Sequence, residues 1–423
     1  MIRLIQFEMR KLFRSTFFRI LMLAFCLFIV VYYVFVHMNT IRTEDLIRET
    51  EGNIHREEQP IQELRDAIDS GEIEEDNQIK EEIELWEQFV SERKVKLKGY
   101  EEENWATLLN LEIEDVAHDY ESNLFKREYY TSSWPTLFTQ ETRLEQNKWL
   151  RDKKIVPVLP IDIHSWLTVY DVTFTVENDP EEILKNFVEK HSKKYSSTGI
   201  YYLNHVFGLL FGVLGAGFFL YLFGDIVTKE GLSRNGPINL LQTQPIDRSK
   251  IIVSKFITVL LLSALILIGT GIISLLLGTI FDRFGDWNYP VLIYGEEYMH
   301  SFMNMSTFII KSMMLFFMVL LFCFSLLFLF SILTKKALIA LGLTLVTLFM
   351  GIRLSEESVL SSFAQYVPFH YFSAPQVVTM ELAATLKNFS FTFTNGLVVL
   401  GISSAVLLAA TYVVSVVQYK YGR

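Results

Sequence analysis

Six long apolar stretches divide the chain, and each can cross the hydrocarbon core of a bilayer. These stretches, spans 1 to 6, cover residues 18–37, 203–224, 254–281, 311–333, 337–352 and 395–417. The fifth holds only 16 uncharged residues, so we expect it to be short or tilted. Gly208 and Gly212 form a G-x-x-x-G pattern in span 2, which predicts a close helix contact. The pattern predicts an all-α polytopic membrane protein with six transmembrane helices.

Residues 2–14 predict an amphipathic helix ahead of span 1. Such a helix lies in the inner membrane interface, and a simple cytoplasmic extension of span 1 is the alternative. We assign residues 1–16 to this interfacial helix and residues 17–37 to span 1. The apolar run 20–36 is too long for a signal peptide, so we expect span 1 to be retained. The apolar face carries Ile2, Ile5, Met9, Leu12 and Phe13, and the basic face carries Arg3, Arg10, Lys11 and Arg14.

Residues 38–202 form a polar region long enough to be a domain. Apolar residues recur there at steps of three, four and seven, which predicts three helices around Ile47–Ile68, Ile79–Val90 and Leu109–Tyr120. Short turns imply that these helices are antiparallel. Residues 134–180 contain four prolines and the β-branched run Val169–Val176, which predicts loops or a small sheet. The candidate C-cap residues are Gly71 and Gly99.

Charge is distributed unevenly between this region and the rest. Residues 37–202 hold 20 basic and 37 acidic residues, a net charge of −17, whereas the remainder carries +7. Because the positive-inside rule places basic loops in the cytoplasm, both termini should be cytoplasmic and residues 38–202 extracytoplasmic. The acidic excess fits a solvated surface or a binding surface for cationic peptides. Cys26 and Cys323 lie in apolar runs and the polar region has no cysteine, which fits a bacterial plasma membrane.

Several motifs of catalysis and energy conversion are missing from the sequence. It contains no G-x-x-x-x-G-K-[ST], no H-E-x-x-H and no G-x-S-x-G, and its eight histidines are scattered. No Asp or Glu lies inside a span, which argues against ion-coupled transport. We therefore expect no catalytic, cofactor or metal site in this chain and no nucleic-acid partner.

The predicted cytoplasmic loop 225–250, between spans 2 and 3, has prolines, leucines and charged residues that a simple connection does not need. Pro237 suits the first turn of a short helix that would present Ile238, Leu240 and Leu241. Pro245 suits the start of a second helix that continues into span 3. Exposed leucines flanked by charge are typical of a surface that docks in a protein groove, or of a helix that rests on the inner leaflet. Periodicity alone does not decide between the two.

The spacing of this loop resembles a pattern in permease subunits of type-2 ATP-binding-cassette (ABC) exporters. The resemblance also covers the N-terminal helix and all six spans, of which residues 203–423 hold spans 2 to 6. The sequence departs from the family pattern at Leu232-Ser233, where members often have Thr, and in the long insertion after span 1. The matching residues are Asp225-x4-Glu230-Gly231, Leu240-Leu241-x3-Pro245-Ile246-x-Arg248, Lys255, and Glu8, Arg10 and Lys11 of the N-terminal helix.

The resemblance implies that a separate ATPase subunit binds ATP and Mg²⁺ and docks on the loop. Two permease copies, or two paralogues, would surround the pathway. It also implies a re-entrant segment at 353–394, for which a surface loop is the alternative. The coupling residues would be Glu230, Gly231, Pro237, Ile238, Leu240, Leu241, Pro245 and Arg248, and the interfacial helix would contribute Glu8, Arg10, Lys11 and Arg14.

These observations favour a permease that exports an amphipathic or hydrophobic substrate, such as a peptide antibiotic, a lipid or a drug. Lys311, near the outer end of span 4, is a candidate contact for an anionic substrate or a lipid headgroup, or it snorkels to the interface. The alternative is a membrane sensor whose ectodomain binds a ligand and whose loop docks a signalling partner. An intramembrane enzyme ranks last, because no catalytic group is evident.

Overall fold

The computed structural model describes residues 1–71, 76–123, 135–178, 194–226, 248–357 and 363–421. About 80% of the structure is helical and the described residues contain very little strand, which confirms the predicted fold class. The chain forms two compact units, one of Met1–Phe35 with Ser197–Arg423 and one of Val36–Ser196. The first is called the bundle here and the second the inserted unit.

The bundle contains the helices that are apolar enough to cross a membrane. In the described residues five continuous helical segments pass this test, and a bent pair makes up to six. Its elements are α1 (Ile2–Arg14), most of α2 (Thr16–Asn39), α8 (Gly199–Leu210), α9 (Val213–Phe223), α10 (Arg248–Phe281), β1 (Pro290–Tyr294), β2 (His300–Asn304), α11 (Met305–Thr334), α12 (Ala337–Glu357), α13 (Ala374–Val378), α14 (Glu381–Thr385) and α15 (Phe393–Tyr421).

Span 2 is broken rather than continuous, because α8 and α9 are bent by 72°. The break falls at Phe211 and Gly212, where the carbonyl of Phe211 accepts a hydrogen bond from Ala374 N at 3.1 Å. A Cβ on Gly215 would lie 1.8 Å from the carbonyl oxygen of Leu210, so the bend requires glycine there. Gly212 lies at this break and not inside a continuous helix, and the predicted helix contact stays a prediction.

A small hairpin and an irregular segment follow α10 and α12. Strands β1 and β2 pair antiparallel, with Leu292 opposite Phe302, and Tyr294 N donates to Thr379 O at 2.9 Å. In residues 363–394, the rings of Phe369 and Phe372 contact Phe322 with centroids 5.6 and 6.2 Å apart. Phe322 lies near the middle of α11, so this segment reaches into the bundle. Its depth in a membrane stays a prediction.

The inserted unit begins with three antiparallel helices, α3 (Thr43–Asp69), α4 (Asn77–Glu101) and α5 (Trp105–Asn123), as predicted. Ile54 and Ile61 of α3 pack against Val90 of α4. Gly71 follows α3 with φ +73°, the left-handed conformation expected of a glycine beyond a C-cap. Gly99 is not a C-cap but lies inside α4, where an added Cβ would come within 2.8 Å of Leu108.

The prediction of loops or a sheet in residues 134–180 is wrong for most of this segment. Helices α6 (Leu137–Asp152) and α7 (Val169–Asn178) occupy it, with a 3₁₀ turn at Ile163–Trp166. The Thr168 hydroxyl and N–H both donate to the Asp171 carboxylate, at 3.0 and 2.8 Å. A carboxylate in the first turn of a helix that accepts a hydrogen bond from the residue before the helix forms half of a capping box. This contact stabilises the helix although the β-branched residues of the run favour a strand.

Candidate functional site: a buried ion pair beside residues 227–247

Glu8 of α1 and Lys255 of α10 form a buried ion pair in the bundle. Lys255 Nζ lies 3.2 Å from Glu8 Oε1, and the two side chains are only 3% and 4% exposed. The same ammonium donates to the carbonyl oxygen of Ile226 at 3.0 Å. Ile226 follows the end of α9, so one charged group connects α1, the end of span 2 and the beginning of span 3. We call Glu8, Lys255 and the Ile226 carbonyl the polar clamp.

Helix α1 places Glu8 inside because Glu8 and Leu12 lie one turn apart on its inward face. Both are buried, whereas Ile2 and Phe13 of the predicted apolar face are exposed. The helix at residues 2–14 is confirmed, but its inward contact is polar as well as apolar. The exposed apolar residues fit an interfacial position, which stays a prediction.

Aromatic contacts connect the helices that carry the clamp. Phe18 of α2 contacts Phe13 and Phe223, with ring centroids 5.7 and 6.4 Å apart. Phe256, next to Lys255, contacts Phe328 edge-on at 5.2 Å. A buried ammonium is tolerated only when it is paired and hydrogen-bonded, and Lys255 has both the carboxylate and the carbonyl.

Most of the predicted coupling residues lie outside the described part of the chain. This applies to Glu230, Gly231, Pro237, Ile238, Leu240, Leu241 and Pro245. Arg248 is the first residue of α10, and its side chain is also outside the description. Helix α10 nevertheless continues without a break through Lys255 into span 3, as predicted.

The other predicted site residues lie elsewhere in the bundle. Arg10, Lys11 and Arg14 line a cavity of about 560 Å³ beside α1. Lys311 is near the beginning of α11, with its ammonium 5.7 Å from the ring centroid of Phe393. Helices α10 and α11 are joined at the end opposite Lys255, so the structure does not bring Lys311 to the polar clamp.

The pairing of Glu8 with Lys255 was missed by sequence reasoning. Glu8 was assigned to the interfacial helix, and Lys255 was identified only as part of the family pattern. The available signal was one acid spaced i, i+4 from Leu12 in an otherwise basic helix, and one lysine within the apolar beginning of span 3. An acid in a basic helix and a lysine in an apolar stretch are each unusual, and their opposite charges allow them to pair.

Comparison with protein-family models identifies the chain. The model described as ABC-2 family transporter protein matches residues 2–420, which include both the bundle and the inserted unit. Neither a curated protein nor a solved structure matches the chain. In this family the membrane permease pairs with an ABC ATPase subunit. The chain therefore belongs to the ABC-2 transporter family and is a multi-pass membrane permease.

Proposed function

We propose that this permease exports an amphipathic or hydrophobic substrate with energy from ATP and Mg²⁺ bound by a separate ATPase. That ATPase docks on loop 225–250 through Leu240 and Leu241. The single observation that supports this most is the polar clamp, because it holds both flanks of the loop. The described structure stops at Ile226, before the loop, and resumes at Arg248, after it.

The clamp gives the loop a mechanical connection to the bundle. Lys255 lies on the flank after the loop and donates to Ile226 on the flank before it, while Glu8 adds α1. Removing one partner of a buried ion pair costs about 3–5 kcal/mol, because the other charge stays buried without its partner. Displacement of the loop should therefore move all three elements together and keep the pair intact. This is the behaviour expected of a site that receives force from a docked ATPase.

The proposed substrate class is supported by the family and by the apolar spans. It is an amphipathic molecule such as a peptide antibiotic, a lipid or a drug. Two permease copies or paralogues would enclose the transport pathway. Both termini and the loop would face the cytoplasm of a bacterial cell, and residues 38–202 its outside.

The proposal is tested by the composition of the native complex. The chain is purified in mild detergent with its native neighbours, and the intact mass and ATPase activity are measured. A complex with two ATPase subunits and two permeases is expected. Leu241→Asp should abolish ATPase binding because it places a charge in a desolvated groove, whereas Thr243→Asp, with the same charge, should retain it.

Retention of the ATPase by Leu241→Asp would remove Leu241 from the docking role. A permease that purifies with no ATPase, or with a signalling protein that does not hydrolyse nucleotides, would contradict the exporter and favour the sensor.

A further inference from the structure

A cavity of about 560 Å³ lies between α1, the beginning of α2 and the end of α9. Its lining combines cations with aromatic rings. Glu8 forms part of one wall, so the cavity is adjacent to the polar clamp. The lining residues used below are Arg10, Lys11, Arg14, Phe7, Phe17 and Asp225.

The charge of the cavity favours an anion. Arg10, Lys11 and Arg14 supply three positive charges, and Asp225 supplies one negative charge. Glu8 also lines the cavity, but Lys255 balances it from 3.2 Å, so the described lining together with Lys255 carries a net charge of +2. Arg10 and Arg14 are exposed and one turn apart on α1. Guanidinium groups on the same side of a helix match the oxygens of a phosphate group.

An exposed apolar surface begins at the cavity and continues along α2. Phe17 lines the cavity, and Ile20, Ala24 and Leu27 follow at steps of three and four on the same side of the helix. All four are exposed. A soluble anion would leave this apolar surface uncovered, whereas the acyl chains of a phospholipid would cover it.

We propose that this cavity binds the phosphate headgroup of an anionic phospholipid whose acyl chains lie along Phe17, Ile20, Ala24 and Leu27. Bound lipid holds α1 against the bundle and thereby stabilises the contact between Glu8 and Lys255. The proposal goes beyond the transport function and depends neither on the substrate nor on the ATPase. Its failure would leave the docking of the ATPase untouched, and failure of that docking would leave the lipid site.

The site is tested on the full chain in nanodiscs of phosphatidylcholine with increasing phosphatidylglycerol. The thermal midpoint should rise with phosphatidylglycerol in a saturable manner. Arg10→Gln with Arg14→Gln should weaken the apparent affinity roughly thirtyfold, because each of the two arginines near an anionic headgroup contributes about 1 kcal/mol. The matched control is Arg3→Gln with Arg19→Gln, which removes the same charge from exposed residues outside the cavity and should leave the affinity within about twofold.

Two further outcomes would overturn the proposal. Equal weakening in the control would show general surface attraction, and equal stabilisation by soluble glycerol phosphate would show a site for a soluble anion. A photoactivatable phosphatidylglycerol tests the unmutated protein, so the result does not depend on how the variants fold. Cross-links should map to residues 7–27, and cross-links confined to other segments would contradict the assignment.

Discussion

The ion pair of the polar clamp in the bundle and the exposed ion pairs between α3 and α4 of the inserted unit differ in their burial. The Glu8–Lys255 pair of the bundle is almost completely buried. In the inserted unit, Lys94 and Glu58 connect α4 to α3 at 2.8 Å with side chains 57% and 45% exposed. Arg65 and Glu87 connect the same two helices and are similarly exposed.

The difference lies in what replaces water. An exposed pair keeps its hydration and is screened by salt, so it contributes little beyond fixing the register of two helices. A buried pair has lost its hydration, so each charge depends on the other. Burial therefore makes the polar clamp a rigid connection, whereas the inserted unit relies on its apolar contacts and a few buried polar groups.

The largest effect is expected from Lys255→Met. It leaves the Glu8 carboxylate buried without its cation, so the free energy of unfolding should fall by about 3–5 kcal/mol. Unfolding of the detergent-solubilised chain measures this, with Lys250→Met, an exposed lysine of the same helix, as the control. Adding Glu8→Gln should restore most of the loss, because it removes the unpaired charge. A loss no greater than that of Lys250→Met would contradict the buried pair.

A second prediction concerns a buried acid of the inserted unit, Glu112. Burial raises its pKa to about 7 from its ordinary value of 4.5, and Lys96, with Nζ 3.8 Å away, opposes the shift. Between these two pH values the folded state binds more protons than the unfolded state. The contribution of Glu112 to stability is therefore greatest below about pH 4.5, decreases as the pH rises to about 7, and stays lower above it.

The total change should approach ~3 kcal/mol, which is the free-energy equivalent of this shift. Hydrogen exchange of the α5 amides, corrected for intrinsic rates, measures it in the full chain. Glu112→Gln should make the local stability nearly constant across this pH range, whereas Glu114→Gln, an exposed neighbour, should keep the slope. An unchanged slope in Glu112→Gln would assign the pH dependence to other groups.

The smallest effect is expected from the exposed pair. A double-mutant cycle of Lys94→Ala and Glu58→Ala should give a coupling energy of about 0.2–1 kcal/mol, decreasing with added salt. Exchange of amides in α3 and α4 measures it. A salt-insensitive coupling as large as that of Glu8 and Lys255 would remove the contrast between the two regions.

Local patterns were predictable from the sequence, and burial was not. The steps of Ile54, Ile61 and Val90 predict α3 and α4 because the face of a helix is a local property. Helix α6 was missed because it is buried on nearly every side, so polar residues such as Arg143 and Asn147 hide the periodicity. The Thr168-x-x-Asp171 spacing was the missed signal for α7.

The candidate site shows the same limit. The loop residues were identified from their resemblance to a family, and the family is confirmed. The pairing of Glu8 with Lys255 depends on the approach of two segments that lie almost 250 residues apart in the sequence. A single sequence does not show which distant residues will lie next to each other. The break at Gly212 likewise depends on residues 372–374, which lie far along the chain.

The most direct test of the central claim uses the double variant Glu8→Gln and Lys255→Met in the assembled complex. Replacement of a buried pair by neutral groups is often tolerated, so the variant should fold and bind the ATPase. Hydrogen exchange of α10 and of residues 363–394 is compared with and without ATP and vanadate. The polar clamp predicts an ATP-dependent change in the native complex that is lost in the variant. An undiminished change in the variant would show that the clamp does not transmit the motion.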